Sequence, residues 1–239
     1  MGSFDTRLEG REQIAAGTMA FHFEKPPGFR FRPGQAMDVL LDPSDTDAQS
    51  ARHAFSLVSA PFEGHLAIAT RMRDSVFKRT LKVLPIGSPL RLDGPFGSLT
   101  LHNDRARPAV FIAGGIGITP FMSILRQATR DQLPQRLVLL YSNRRPEDAA
   151  FLGELHEIEQ QNRYFRLLAT MTQMSKSSQS WEGKTGVLDE AMLRAVDGEL
   201  VSPIYYLVGP PAMVEAMRQT LGLAGIEGDD IRSEEFYGY

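Results

Sequence analysis

Cysteine is absent from this chain of 239 residues. Its absence excludes disulfides, a thiolate nucleophile and any iron–sulfur cluster held by cysteines of this chain. Long apolar runs are also absent, because no stretch approaches the length of a membrane span and the N-terminus lacks the apolar core of a signal peptide. The histidines show no metal-ligand spacing, so the sequence predicts no metal site. We therefore expect a cytoplasmic protein.

Excess charge of one sign is missing too: the formal net charge is −3, which argues against a general nucleic-acid binder. One segment, 71–91, is nevertheless strongly basic and contains a single acid, Asp74. Its basic residues are Arg71, Arg73, Lys78, Arg79, Lys82 and Arg91. Two interpretations stand side by side: a solvated face, or a surface that meets cofactor phosphates or an acidic protein partner.

The sequence pattern changes near residue 104, which predicts two domains. Residues 1–104 contain short apolar segments separated by turn formers, a pattern typical of an antiparallel β-barrel. The predicted strands are Met19–Phe23, Gln35–Leu41, Ala54–Val58, Leu66–Arg71 and Pro89–Leu92, and a short helix is predicted from about Ser75 to Val83.

Residues 105–239 alternate apolar strands with helical segments, which predicts an α/β domain built on a parallel sheet with helices on both faces. The predicted strands are Ala109–Ala113, Leu137–Tyr141, Phe165–Thr170 and Ile204–Val208. The predicted helices are Pro120–Arg130, Pro146–Gln161, Asp189–Ala195 and Pro211–Leu221.

The turn after the first of these strands carries the strongest chemical signal. Three glycines fall within four residues, namely Gly114, Gly115 and Gly117. Thr119 can then cap a helix, with Pro120 at its first position. Glycines let a pyrophosphate approach the backbone, and the amides of the helix N-terminus point toward it. The turn predicts a dinucleotide site, although glycine turns also occur for purely structural reasons.

Further motifs stand in a fixed order around this turn. They are residues 31–35 (FRPGQ), 52–61 (RHAFSLVSAP), 94–97 (GPFG), 209–211 (GPP) and 234–239 (EEFYGY). With these motifs the chain resembles the ferredoxin–NADP reductase superfamily of flavoproteins from about Phe31 to Tyr239. The resemblance implies a flavin-binding barrel followed by a nicotinamide-nucleotide domain whose C-terminal tail returns to the flavin.

In the first domain the resemblance implies that Phe55 packs against the flavin ring and that Ser56 lies by its N5 atom. His53 stands where the family motif has an arginine, so the pyrophosphate contact falls to Arg52, or to Arg71 or Arg73. Ser75 and Val76 begin the helix expected at the flavin phosphate, where FAD is favoured over FMN. The remaining residues assigned to this site are Ala54 and Ala69.

In the second domain the resemblance assigns the nicotinamide cofactor to both glycine-containing turns. The residues concerned are Gly114, Gly115, Gly117, Thr119, Gly209 and Pro210. Arg144 and Arg145 follow the second strand, where an arginine can hold a 2′-phosphate, so NADP is favoured over NAD.

The C-terminal aromatic of the family stacks on the flavin, a role for Tyr237 or Tyr239. Glu235 resembles the acid near the flavin edge, with Glu234 as the second candidate. The alternatives from the residues alone are surface acids and a frayed chain end.

Together these features predict an FAD-dependent NAD(P)H oxidoreductase. A hydride would pass from nicotinamide C4 to flavin N5, and electrons would pass on to a separate iron–sulfur protein of the ferredoxin type. Ser56 would polarise or protonate N5, and Tyr237 or Tyr239 would gate the ring. Two alternatives remain open: direct reduction of free flavin, quinone or another small acceptor, and a non-catalytic flavin-binding electron-transfer subunit of a larger complex.

Overall fold

The computed structural model describes residues 2–41, 52–197 and 200–237. They form two compact units. The first comprises the residues up to 100 together with 119–127, and the second comprises 101–118 and the residues from 128 onward. Among the helices of the described ranges, none is both long enough and apolar enough to cross a membrane.

Six antiparallel strands and one helix make up the described part of the first unit, apart from residues 119–127. The strands are β1 (Gly2–Ala15), β2 (Thr18–Glu24), β3 (Ala36–Leu40), β4 (Arg52–Ser56), β5 (His65–Arg71) and β6 (Pro89–Phe96), and the helix is α1 (Val76–Val83). They pair in the order β4-β3-β6-β1-β2-β5. Just beyond β4, the Val58 amide donates to the Ala67 carbonyl at 2.8 Å, and the Ala67 amide donates to Ser59 Oγ at 3.0 Å. These bonds join the two outer strands, as expected for a barrel.

Each predicted strand of this unit begins within two residues of an observed one, but β1 was not predicted. It is the longest strand, and its first half pairs with β6 while its second half pairs with β2. Only Thr6 and Leu8 are buried along its length. Because most of its side chains face water, it carries too few apolar residues to give a strand signature.

Parallel strands form the sheet of the second unit. The described strands are β7 (Ala109–Gly114), β8 (Leu137–Asn143), β9 (Phe165–Met171), β10 (Lys184–Thr185), β11 (Ile204–Gly209) and β12 (Ile231–Glu235), in the order β10-β9-β8-β7-β11-β12. The described helices are α2 (Thr119–Arg130), α3 (Leu152–Gln161), α4 (Glu190–Asp197) and α5 (Pro211–Leu223), of which α2 contributes residues 119–127 to the first unit. Every residue of β7 and β11 is buried, as expected for central parallel strands.

The helix predicted over Pro146–Gln161 is wrong in its first part. Pro146–Asp148 form a short 3₁₀ turn, Phe151 adopts a left-handed conformation with φ of 61°, and α3 begins only at Leu152. The Tyr141 hydroxyl donates to the Ala150 carbonyl at 3.1 Å, which holds this segment against the sheet. A tertiary contact therefore overrides the local helical pattern.

Gly34 occupies a position in the first unit where both the backbone conformation and a close contact exclude a side chain. Its φ is +91°, and an added Cβ would lie 2.1 Å from the Leu99 carbonyl oxygen. Gly28 has a similar φ of +82° but open space around it. We expect Gly34→Ala to lower the free energy of unfolding by about 3 kcal/mol, and Gly28→Ala by about 1 kcal/mol, because only the first adds a clash to the backbone strain. Urea denaturation measures both, and equal losses would contradict the steric argument.

Candidate functional site

The carboxyl end of β4 carries an aromatic side chain and a hydroxyl on opposite faces, as the alternation of a strand requires. Phe55 is half-buried and packs against Phe77 of α1, with ring centroids 5.8 Å apart. Ser56 is buried. His53 shares the face of Phe55 and lies 4.7 Å from the Phe77 ring. These three rings form an aromatic group beside the first turn of α1.

His53 does not provide the positive charge that an arginine would. Burial lowers its pKa, and the neighbouring charge of Lys78 lowers it further, so the imidazole is neutral at pH 7. Arg52 is also committed elsewhere: its guanidinium pairs with Asp38 at 2.5 Å and with Asp93 at 3.0 Å. Arg52 is the residue predicted to bind the pyrophosphate, and a pyrophosphate would have to compete with these two carboxylates for its guanidinium.

One further cation, Lys78 of α1, lies near the aromatic group, because its charge acts on His53. Lys78 Nζ donates to the Arg71 carbonyl at 2.9 Å, and the pKa of Lys78 is lowered by burial and by the charge of Arg73. None of Arg71, Arg73 and Lys78 forms an ion pair with a carboxylate of the described residues. We name Arg71, Arg73 and Lys78 the basic cluster. Lys78 was not among the predicted site residues, although it lies in the basic segment 71–91.

The start of α1 follows the sequence prediction. Ser75 is the N-cap, and its hydroxyl accepts a hydrogen bond from the Lys78 amide at 3.2 Å. Val76 is the first helical residue and is exposed. Ala69 is buried and lies on the face of β5 opposite to Leu66 and Ile68, the face that it shares with Arg71.

In the second unit, other parts of the chain pack closely against the glycine turn. Gly115–Ile118 form a 3₁₀ turn between β7 and α2, and Thr119 is the first, buried residue of α2. A Cβ added to Gly117 would lie 2.3 Å from the Val208 carbonyl oxygen, and one added to Gly114 would lie 2.8 Å from Pro210 Cδ. These two positions must be glycine because they pack against the end of β11 and the turn that follows it. Gly115 has φ of +52° and is half-buried, whereas Gly114 and Gly117 are buried.

Gly209, the last residue of β11, likewise has no room for a side chain. A Cβ on Gly209 would lie 3.1 Å from backbone atoms of Gly114 and 2.7 Å from Met213 Cε. Pro210 precedes α5, and its carbonyl accepts from the Met213 amide at 2.9 Å. The structure thus brings the two predicted nicotinamide turns together at the carboxyl edge of the sheet.

The two arginines after β8 differ sharply. Arg145 donates to both carboxylate oxygens of Asp148 at 2.8 Å and lies 3.4 Å from Glu147, and the hydrogen bond to Asp148 raises the pKa of Arg145. Arg144 is exposed, and its side chain forms no ion pair with a carboxylate of the described residues. Only Arg144 therefore presents an uncompensated charge, whereas the sequence assigned both arginines to a phosphate.

The C-terminal acids belong to a strand that was not predicted. Strand β12 pairs with β11, which places Glu234 beside Val208 and Glu235 beside Gly209. Burial raises the pKa of Glu234, while Glu235 is exposed and accepts a hydrogen bond from the Tyr237 hydroxyl. Tyr237 is 80% exposed, and Tyr239 lies outside the described residues.

Comparisons with known proteins match the sequence and the fold of this chain. A family model described as an oxidoreductase NAD-binding domain matches residues 111–219, a range that includes the glycine turn, Arg144 and Gly209. The glycine betaine monooxygenase reductase subunit of Chromohalobacter salexigens is 27% identical over 222 residues, which are 92% of this chain and 60% of that protein. The chain thus spans about three fifths of the length of this relative.

Two further proteins match along nearly their whole length. Ferredoxin–NADP reductase B of Sorangium cellulosum is 27% identical over 246 residues, covering 98% of this chain and 97% of that protein. The crystal structure of a ferredoxin NADP⁺ reductase from Neisseria gonorrhoeae with bound FAD and NADP has a TM-score of 0.80 and 20% identity, covering 98% and 99% of the two chains. At this level of identity the structural likeness shows the shared fold.

The half-buried Glu234 predicts a pH-dependent stability. Because its folded-state pKa is raised, ionisation opposes folding, and this cost appears as the pH rises above the unfolded pKa. We expect Glu234→Gln to match the original chain near pH 4 and to exceed it in free energy of unfolding at pH 7 to 8. Urea denaturation across this range measures the difference, with the exposed Glu227→Gln as control. An advantage that is larger at pH 4 than at pH 7 would contradict the prediction.

Proposed function

Since this chain belongs to the ferredoxin–NADP reductase superfamily, we propose that it is an FAD-dependent NAD(P)H oxidoreductase that delivers electrons to a separate acceptor. The observation that carries the proposal is the basic cluster beside the aromatic group in one unit, together with the paired glycine turns in the other. The first combination suits a flavin nucleotide, and the second suits a nicotinamide nucleotide.

The flavin assignment rests on charge. The charge of Arg73 lowers the pKa of Lys78, which is half-buried, and Lys78 Nζ donates to the Arg71 carbonyl. None of the three cations of the basic cluster has a carboxylate partner among the described residues. An arrangement of like charges is unfavourable until an anion binds, and a pyrophosphate would supply that anion. Arg71, Arg73 and Lys78, with the helix start at Ser75 and Val76, would hold the flavin phosphates. Phe55 would contact the ring system.

The nicotinamide assignment rests on the carboxyl edge of the parallel sheet, where ligands bind in open α/β sheets. The amides of the Gly115–Ile118 turn and the start of α2 would face the pyrophosphate. Arg144 would hold a 2′-phosphate. Glu147 and Asp148 both pair with Arg145, so neither acid is left to hold the bare 2′-hydroxyl of NAD. NADP is therefore the proposed cofactor.

When bound, the flavin supplies the redox chemistry: it accepts a hydride and releases electrons one or two at a time. The chain's own groups orient and shield. Ser56, at the end of β4, would donate a hydrogen bond to the flavin ring, and Tyr237 would cover its face. Glu235 would keep the Tyr237 hydroxyl oriented through their hydrogen bond.

The proposed acceptor is a separate iron–sulfur protein; the 239 residues contain no cysteine that could hold a cluster themselves. The name of the Chromohalobacter relative, a reductase subunit of a monooxygenase, supports delivery to a partner. Docking through the basic residues of segment 71–91 that the flavin phosphates would leave free, Arg79, Lys82 and Arg91, predicts a reduction rate that falls with added salt. A rate independent of salt, with rapid turnover of free flavin, would favour the small-acceptor alternative instead.

The decisive experiment is stopped-flow reduction of the purified, flavin-loaded protein by NADPH and by NADH, followed at the flavin absorbance. Fast bleaching with NADPH and slow bleaching with NADH is the expected result. Failure to retain flavin would contradict the reductase. Flavin that is retained but bleached by neither nucleotide would favour the non-catalytic, flavin-binding electron-transfer subunit.

Arg144 should determine the preference for the phosphorylated nucleotide. We expect Arg144→Ala to weaken NADPH binding roughly tenfold, the value of one charge-assisted hydrogen bond to phosphate, and to leave NADH binding within about twofold. Arg166→Ala removes another exposed arginine of the same unit and serves as the matched control. Equal losses for both nucleotides would show that Arg144 does not contact the 2′-phosphate.

A further inference from the structure

One buried side chain at the carboxyl edge of the sheet has no hydrogen-bond partner. Asn143, the last residue of β8, is 4% exposed, and neither Nδ2 nor Oδ1 of its carboxamide forms a hydrogen bond. Among the described buried side chains, only Asn143 has both atoms of its polar group in this state. Leaving a buried donor and a buried acceptor unpaired costs about 1–3 kcal/mol for each group.

The surroundings of Asn143 are otherwise well satisfied. Its carbonyl accepts from the Thr172 amide at 2.9 Å, and the next carbonyl, of Arg144, accepts from the Gln173 amide at 2.8 Å. Two residues earlier on the same face of β8, the Tyr141 hydroxyl donates to the Ala150 carbonyl. The unpaired carboxamide is therefore a local exception within an ordered strand end.

We infer that Asn143 is a specificity-determining residue whose carboxamide pairs with a hydroxyl of the adenosine ribose of the nicotinamide nucleotide. This inference rests on the proposed function. A carboxamide offers one donor group and one acceptor, and a ribose hydroxyl offers both as well, whereas a phosphate only accepts. The adjacent Arg144 is the proposed contact for the 2′-phosphate of the same ribose. The end of the second strand is also where dinucleotide folds contact that sugar.

Both carboxamide atoms are shielded in this structure, so the nucleotide reaches them only after the strand end shifts or the side chain rotates. The unpaired atoms favour that movement, because a bound hydroxyl ends their unsatisfied state. Binding and the local rearrangement are coupled in this way.

The test compares two buried asparagines in the second unit. Asn162 is 2% exposed, but its Oδ1 accepts from the Tyr164 amide at 3.0 Å and its Nδ2 donates to Thr129 Oγ1 at 3.3 Å. Asn143→Leu removes an unsatisfied group, so the nucleotide-free protein should lose no stability. Asn162→Leu removes a satisfied one and should destabilise the protein without changing nucleotide affinity. Asn143→Ala repeats the test with a smaller side chain in case leucine does not fit.

Affinity for NADP⁺ is measured by titration calorimetry on the purified protein, and ADP is compared with 2′,3′-dideoxy-ADP by nuclear magnetic resonance titration. We expect Asn143→Leu to weaken NADP⁺ and ADP roughly tenfold and to leave the dideoxy nucleotide unaffected. Unchanged NADP⁺ affinity, an equal loss for the dideoxy nucleotide, or a loss for NADP⁺ but not ADP would each overturn the inference. If the original chain binds none of these nucleotides, the proposed function itself fails.

Discussion

The close approach of two backbone turns determines the shape of the second unit at its carboxyl edge. Gly117 lies against the Val208 carbonyl, and Gly114 lies against Gly209, at distances that leave no room for a side chain. The ends of β7 and β11 and the turns after them can approach this closely only because these positions are glycine. The glycine turn is held in place by this contact.

Ion pairs with carboxylates determine which arginines are available to bind an anion. Arg52 and Arg145 are each held by two carboxylates, whereas Arg144 and the basic cluster are not paired with carboxylates of the described residues. Each unit thus contains both a carboxylate-paired arginine and a cation that has no such partner among the described residues. Because an exposed ion pair contributes little to stability, its main effect here is on the local charge that a phosphate would meet.

The sequence predicts most of the fold, because apolar strands such as Ala109–Ala113 and Ile204–Val208 are buried on both faces and carry an unambiguous pattern. It misses β1 and β12, whose side chains are largely polar and whose positions depend on partner strands distant in sequence. Among the candidate site residues, the sequence identifies residue types at turns and strand ends. It does not reveal the pairing of Arg145 with Asp148 or the isolation of the Asn143 carboxamide, because both depend on side-chain geometry.

Strand β1 also bears on how the chain folds during synthesis. Gly2 pairs with Gly94, and Thr6 pairs with Leu90, so β1 leaves the ribosome well before β6, the strand with which its first half pairs. Until β6 emerges, only the half of β1 that pairs with β2 has a partner nearby in sequence. Such long-range pairing slows folding, and the waiting strand edge needs protection from other chains. Its dense alternation of charged residues, from Asp5 to Glu12, supplies that protection by disfavouring association with a foreign strand.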